Sequence, residues 1–106
     1  MMTPADIIES GLQHVETYLK GTGYTCHHTP AHHGSVDIEA RGEDDKLYVH
    51  VMSTLAPTAV PDISTSDLAR VLSRAMTMGY DSWLAKVQVD AEGELVGEIQ
   101  WSQLNH

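Results

Sequence analysis

The run "SVDIEAR", residues 35–41, followed by "GEDD" and then "KLYVHVMS", residues 46–53, constrains the fold more than any other stretch. In the first run Val36, Ile38 and Ala40 alternate with Ser35, Asp37, Glu39 and Arg41; in the second, Leu47, Val49 and Val51 alternate with Tyr48, His50 and Met52. A period of two puts each apolar set on one face of an extended strand. The acidic, glycine-bearing segment between them has the chemistry of a turn, so the two runs are expected to pair as a hairpin. An isolated hairpin is marginal in water, and the rest of the chain must cover it.

That cover is legible on both sides. Thr3, Pro4 and Asp6 form a helix-start signal, with a capping hydroxyl, a proline in the first turn and an acid three residues after the cap. A first helix is predicted from about Pro4 to Leu19, carrying Ile8, Leu12, Val15 and Leu19 as one stripe and ended by Gly21 and Gly23. "YTCHH", residues 24–28, reads as a first strand. "TLAPTAVPDI", with two prolines, reads as a connection. Ser64 or Thr65 can cap a second helix with Leu68, Val71, Leu72, Ala75 and Met76 at helical spacing, and Gly79 ends it. "SWLAKVQV", residues 82–89, reads as a strand, "DAEGE" as a turn and "LVGEIQW" as its hairpin partner.

The expected order is therefore helix, three strands, helix, two strands. A crossover through the second helix allows the fourth strand to lie parallel to a member of the first three. The class is α/β or α+β, a mixed central sheet flanked by helices, in one domain over residues 1–106, since this length suits one core and not two.

Fifteen acidic against six basic residues give a formal charge of −9, which opposes the phosphate attraction that carries most nonspecific DNA affinity. DNA is thus a disfavoured partner, and a protein partner or a second copy is favoured. No apolar run approaches the roughly 20 residues that span a bilayer, and "MMTPADIIES" lacks signal-peptide character, so a cytoplasmic protein with no membrane association is expected. The single Cys26 cannot form an internal disulfide. With no partner to orient a nucleophilic pair, it is read as packed in the first strand.

Two constellations could carry chemistry. "CHHTPAHH" places Cys26, His27, His28, His32 and His33 within eight residues, a ligand set that zinc or copper would accept, but without a recognised ligand spacing. Surface histidines are the plainer reading. The second constellation is the hairpin itself, which directs Asp37, His50 and Met52 to one face. Divalent-metal hydrolysis of phosphodiesters needs clustered carboxylates with a cation or base beside them.

In element order and in the text "SVDIEARGEDDKLYVHVMS" the chain resembles the PD-(D/E)XK nuclease superfamily, which includes restriction endonucleases and archaeal Holliday-junction resolvases. The resemblance runs from about Thr3 to Val89 and implies a restriction endonuclease-like core. It puts Asp37 at the family's strand aspartate, His50 at its second acid and Met52 at its lysine. It also implies a helix acid, Glu16 or Glu9, with Mg²⁺ or Mn²⁺ as cofactor. Asp37 and His50, helped by His32 or His33, would be the metal ligands. Methionine cannot act as an ammonium, so catalysis would need a relocated cation, from Lys86 or from Arg70 and Arg74. The plain alternatives are Asp37 as a surface carboxylate paired with Arg41 or Lys46, and Met52 as a space-filling residue.

The expected function is accordingly a nuclease-fold domain with a lost or altered catalytic centre that acts as a binding or assembly module, with its exposed sheet edges suited to a homodimer. A metal-dependent DNA nuclease or resolvase with a relocated cation is one alternative. An acidic protein-binding inhibitor or immunity-type protein, suited to a basic target, is the other.

Overall fold

Helix α1 (Pro4–Gly21) opens where the capping signal stands: Thr3 Oγ1 accepts from Asp6 N at 3.1 Å, and Asp6 Oδ2 accepts from Thr3 N at 2.9 Å. The computed structural model describes residues 2–30 and 35–105. After α1 come β1 (Thr25–Pro30), β2 (Ser35–Arg41) and β3 (Lys46–Leu55), then α2 (Thr65–Met78), β4 (Asp81–Val89) and β5 (Gln100–Gln103). Ser64 Oγ accepts from Asp67 N to start α2, and Gly79, at φ 75°, ends it in the left-handed conformation.

The five strands form one sheet in the order β1-β2-β3-β4-β5. All neighbours are antiparallel except β3 and β4, which run parallel across the crossover through α2. The fold is α+β with a mixed sheet, as the sequence implies. Among the described residues, no helix is long and apolar enough to cross a membrane.

The helices lie on opposite faces, and the strand alternation decides which residue meets which. Leu12, Val15 and Leu19 of α1 pack on the face that carries Val36, Ile38, Val49, Val51 and Val87. The other face holds a smaller core of Tyr48, Val71, Ala75 and Tyr80 beneath α2. Among the described residues, twelve buried apolar residues, three of them from α1, make the first core and four make the second. Apolar burial at about 25 cal/mol per Å² therefore holds α1 far more firmly than α2.

Two expectations change. β2 was expected to be half-buried, but it is buried on both faces from Ser35 to Ile38, because α2 covers the side that bears its polar residues. The partner of β4 was expected over residues 95–101. Instead β5 begins at Gln100, and Leu95 makes only an isolated bridge to Val89. Gly93 at φ 81° and Gly97 at φ 72° turn the chain out of extended geometry between them.

Candidate functional site

Asp37 and His50 are direct partners in the β2–β3 register, and Tyr48 lies two residues before His50 on the same face. All three are buried, with His50 fully so. Arg70 reaches down from α2 to complete the group. Its Nη1 donates to Asp37 Oδ2, and Tyr48 Oη donates to the same oxygen at 2.7 Å. His50 Nδ1 lies 2.7 Å from Oδ1. An ionised carboxylate can only accept, so Nδ1 carries the proton here.

Burial alone pushes the Asp37 carboxyl up, but the hydrogen bonds from His50, Arg70 and Tyr48, with the Arg70 charge, outweigh it and hold the group down at about 2. Tyr48 is pushed up to about 12 by burial and by its bond to Asp37. The anion is thus fixed at neutral pH and surrounded by donors. Among the described residues His50 Nε2 is buried without a hydrogen-bond partner. Arg70 Nη2 has only Asp67 Oδ1 at 3.6 Å.

The structure therefore brings Asp37 and His50 together, with Met52 next along β3 on the same side and half-buried. It also sets Lys86 beside Met52 in the parallel β3–β4 register. Lys86 does not turn to Asp37; its Nζ donates to Asp62 Oδ1 at 2.8 Å. Asp37 is not the exposed carboxylate of the plainer reading. Arg41 Nε donates to the Tyr80 hydroxyl at 3.0 Å, and Lys46 Nζ lies 5.9 Å above the Tyr80 ring.

The helix acids are not brought to this centre. Glu9 and Glu16 ride on α1, which packs against the residues that alternate with Asp37 and His50, so the sheet separates them from it. Glu16 Oε2 instead meets His28 Nδ1 at 3.3 Å, and Glu9 Oε1 accepts from Gln13 Nε2 at 3.0 Å. His32 and His33 lie outside the described residues. Among the described residues no three His, Cys, Asp or Glu side chains converge as a metal-ligand group. Burial, followed by the Glu16 charge, pushes the Cys26 thiol up, which makes it a weaker nucleophile at neutral pH.

Of the cations named from the sequence, Arg70 is the one the structure brings onto Asp37, and one feature of the centre escapes a reading based on single residues. Tyr48 looks like an ordinary strand aromatic, and its one signal is that it shares the parity of His50. The chain matches no family model and no curated protein.

Proposed function

We infer that this chain is a binding or assembly module built on a nuclease-like sheet whose metal centre has been replaced. The observation that carries this reading is the saturation of Asp37. Both of its oxygens are taken by donors, and one of those donors is the guanidinium of Arg70, a fixed cation. A fixed Arg⁺ neutralises the carboxylate as a metal would, but it offers no exchangeable position for water or phosphate. Met52 at the lysine position of the resembled motif adds to this, as does a charge of −9 that repels nucleic acid. The free Cys26 suits a reducing compartment such as the cytoplasm.

A second reading, a nuclease with a relocated cation, draws on the same Arg70 and on the unpartnered Nε2 of His50. One experiment separates the two. Labelled single-stranded, duplex and branched DNA is incubated with the protein in Mg²⁺ and in Mn²⁺, beside Asp37→Ala and Arg70→Ala. The expected result is no cleavage that depends on Asp37. In the folded Arg70→Ala variant the freed carboxylate should gain Mn²⁺ affinity, read as a rise in melting temperature that the parent does not show. Cleavage lost in Asp37→Ala would make the chain an enzyme and overturn the binding reading.

A further inference from the structure

The face of the sheet that carries α1, opposite the Asp37 centre, has a different chemistry at one end. Both tryptophans and two of the four tyrosines of the chain line a single groove of about 440 Å³. Its walls are Tyr18 and Leu19 of α1, Tyr24 just after it, Leu47 of β3, Trp83 of β4 and Trp101 of β5. Tyr18 and Trp101 lie 5.4 Å apart between centroids at 39°, and Trp83 and Trp101 lie 6.4 Å apart at 80°. Tilted and edge-on contacts leave the rings splayed around the groove, where a parallel stack would have closed them on one another. Tyr18 is 52% exposed although it is large and aromatic.

Among the described residues the cleft beside the groove carries four acids, Glu43, Asp44, Asp45 and Asp81, against one base, Lys46. Tyr24 Oη donates to both oxygens of Asp45, at 2.9 and 2.8 Å, which fixes that carboxylate at the groove's end. Asp81 lies close enough to act on the same phenol, and Glu43 and Asp44 adjoin Asp45 in the β2–β3 turn. The nearby cations have an aromatic partner of their own: Arg41 Nε donates to the Tyr80 hydroxyl and Lys46 Nζ lies over the Tyr80 ring, so the acids outnumber the cations at the groove's end.

We propose that this aromatic groove is the docking site for an arginine-bearing segment of a basic protein partner. A guanidinium is planar and weakly hydrated, so it can lie against a Tyr or Trp face while its N–H fork reaches a carboxylate such as Asp45. An ammonium has no plane to stack and pairs as a point charge. Nucleic acid has the wrong sign for the acidic rim, and a second copy would bring −9 against −9. This inference rests on the binding-module reading. It is tested separately, because cleavage decides that reading and fluorescence decides the groove.

Trp83 and Trp101 are the only tryptophans, so their emission reports on the groove directly. Octa-arginine, octa-lysine and octaglutamate are titrated into the full chain and into three variants checked for folding by circular dichroism. Tyr18→Ala removes an exposed groove wall with no change of charge. Asp45→Asn and Asp62→Asn each remove one negative charge, at the groove and on the opposite face respectively; the Asp62 side chain is 97% exposed. The expected result is a saturable emission change with octa-arginine, several-fold weaker binding of octa-lysine, and none of octaglutamate. Tyr18→Ala and Asp45→Asn should each weaken octa-arginine at least about five-fold, a difference of about 1 kcal/mol, while Asp62→Asn leaves it within two-fold. Unchanged affinity in Tyr18→Ala, or equal loss in the two Asp variants, would reduce the effect to general attraction by net charge and overturn the proposal. Absence of any saturable emission change would overturn it as well.

Discussion

Asp37 is the residue on which the α2 side of the molecule turns. Its folded carboxyl stands at about 2 against an ordinary 3.8, so the stabilisation it contributes is present above pH 3.8 and is lost as the pH falls through about 2. The shift corresponds to about 2 kcal/mol. Urea denaturation of the parent and of Asp37→Asn should therefore show a gap of that order at neutral pH that narrows between pH 3.8 and 2. A gap that stays constant down to pH 2 would mean that the carboxylate is not held by its three donors. At this scale the sequence was partly legible. The alternation of β2 singles out Asp37 and the register of the hairpin brings it to His50, since both follow from a period of two. Which side of the sheet α1 would take is not contained in that period, and this is why Glu9 and Glu16, the helix acids that the resemblance implied, lie across the sheet from Asp37.

Elements are held here by unequal means. α1 packs so closely on β3 that a Cβ added at Gly11 would lie 1.8 Å from Ser53 Oγ and 2.7 Å from Ser53 Cβ. Gly11→Ala gains about 1 kcal/mol of helix propensity, but overpacking of this kind costs about 1–3 kcal/mol. The contact with Ser53 Cβ involves no free rotor that could relieve it, so the net expectation is a loss of about 1–2 kcal/mol in chemical denaturation. Adding Ser53→Gly should recover part of that loss; equal stability of Gly11→Ala and parent would show that the helix can lift off without cost. The α2 side has a far smaller apolar core, and Arg70 ties the helix to β2 through Asp37. Helix starts, the hairpin and the parallel crossover were readable, because caps, periods and connection lengths are local signals. The short β5 was not, because "LVGEIQW" has strand composition and only the conformation at Gly93 and Gly97 shows that pairing is delayed to Gln100.

For the whole molecule, the two faces divide the chemistry: a closed polar centre beneath α2 and an open aromatic groove beside α1. Fifteen acids and six basic residues on so small a chain also mean self-repulsion in the folded state. Raising NaCl from about 0.01 M to about 0.15 M shortens the screening length from roughly 30 Å to roughly 8 Å. The melting temperature should consequently rise by a few degrees over that range. A fall would mean that attractive surface pairs, such as Lys86 with Asp62, outweigh the net charge.

The strands stand in the sheet in the same order as in the chain. Each strand that leaves a ribosome can therefore be added to an edge already formed, and no earlier pair has to open to admit a later one. The sheet can be laid down in the direction of synthesis, with the parallel β3–β4 seam waiting only for α2 to be made.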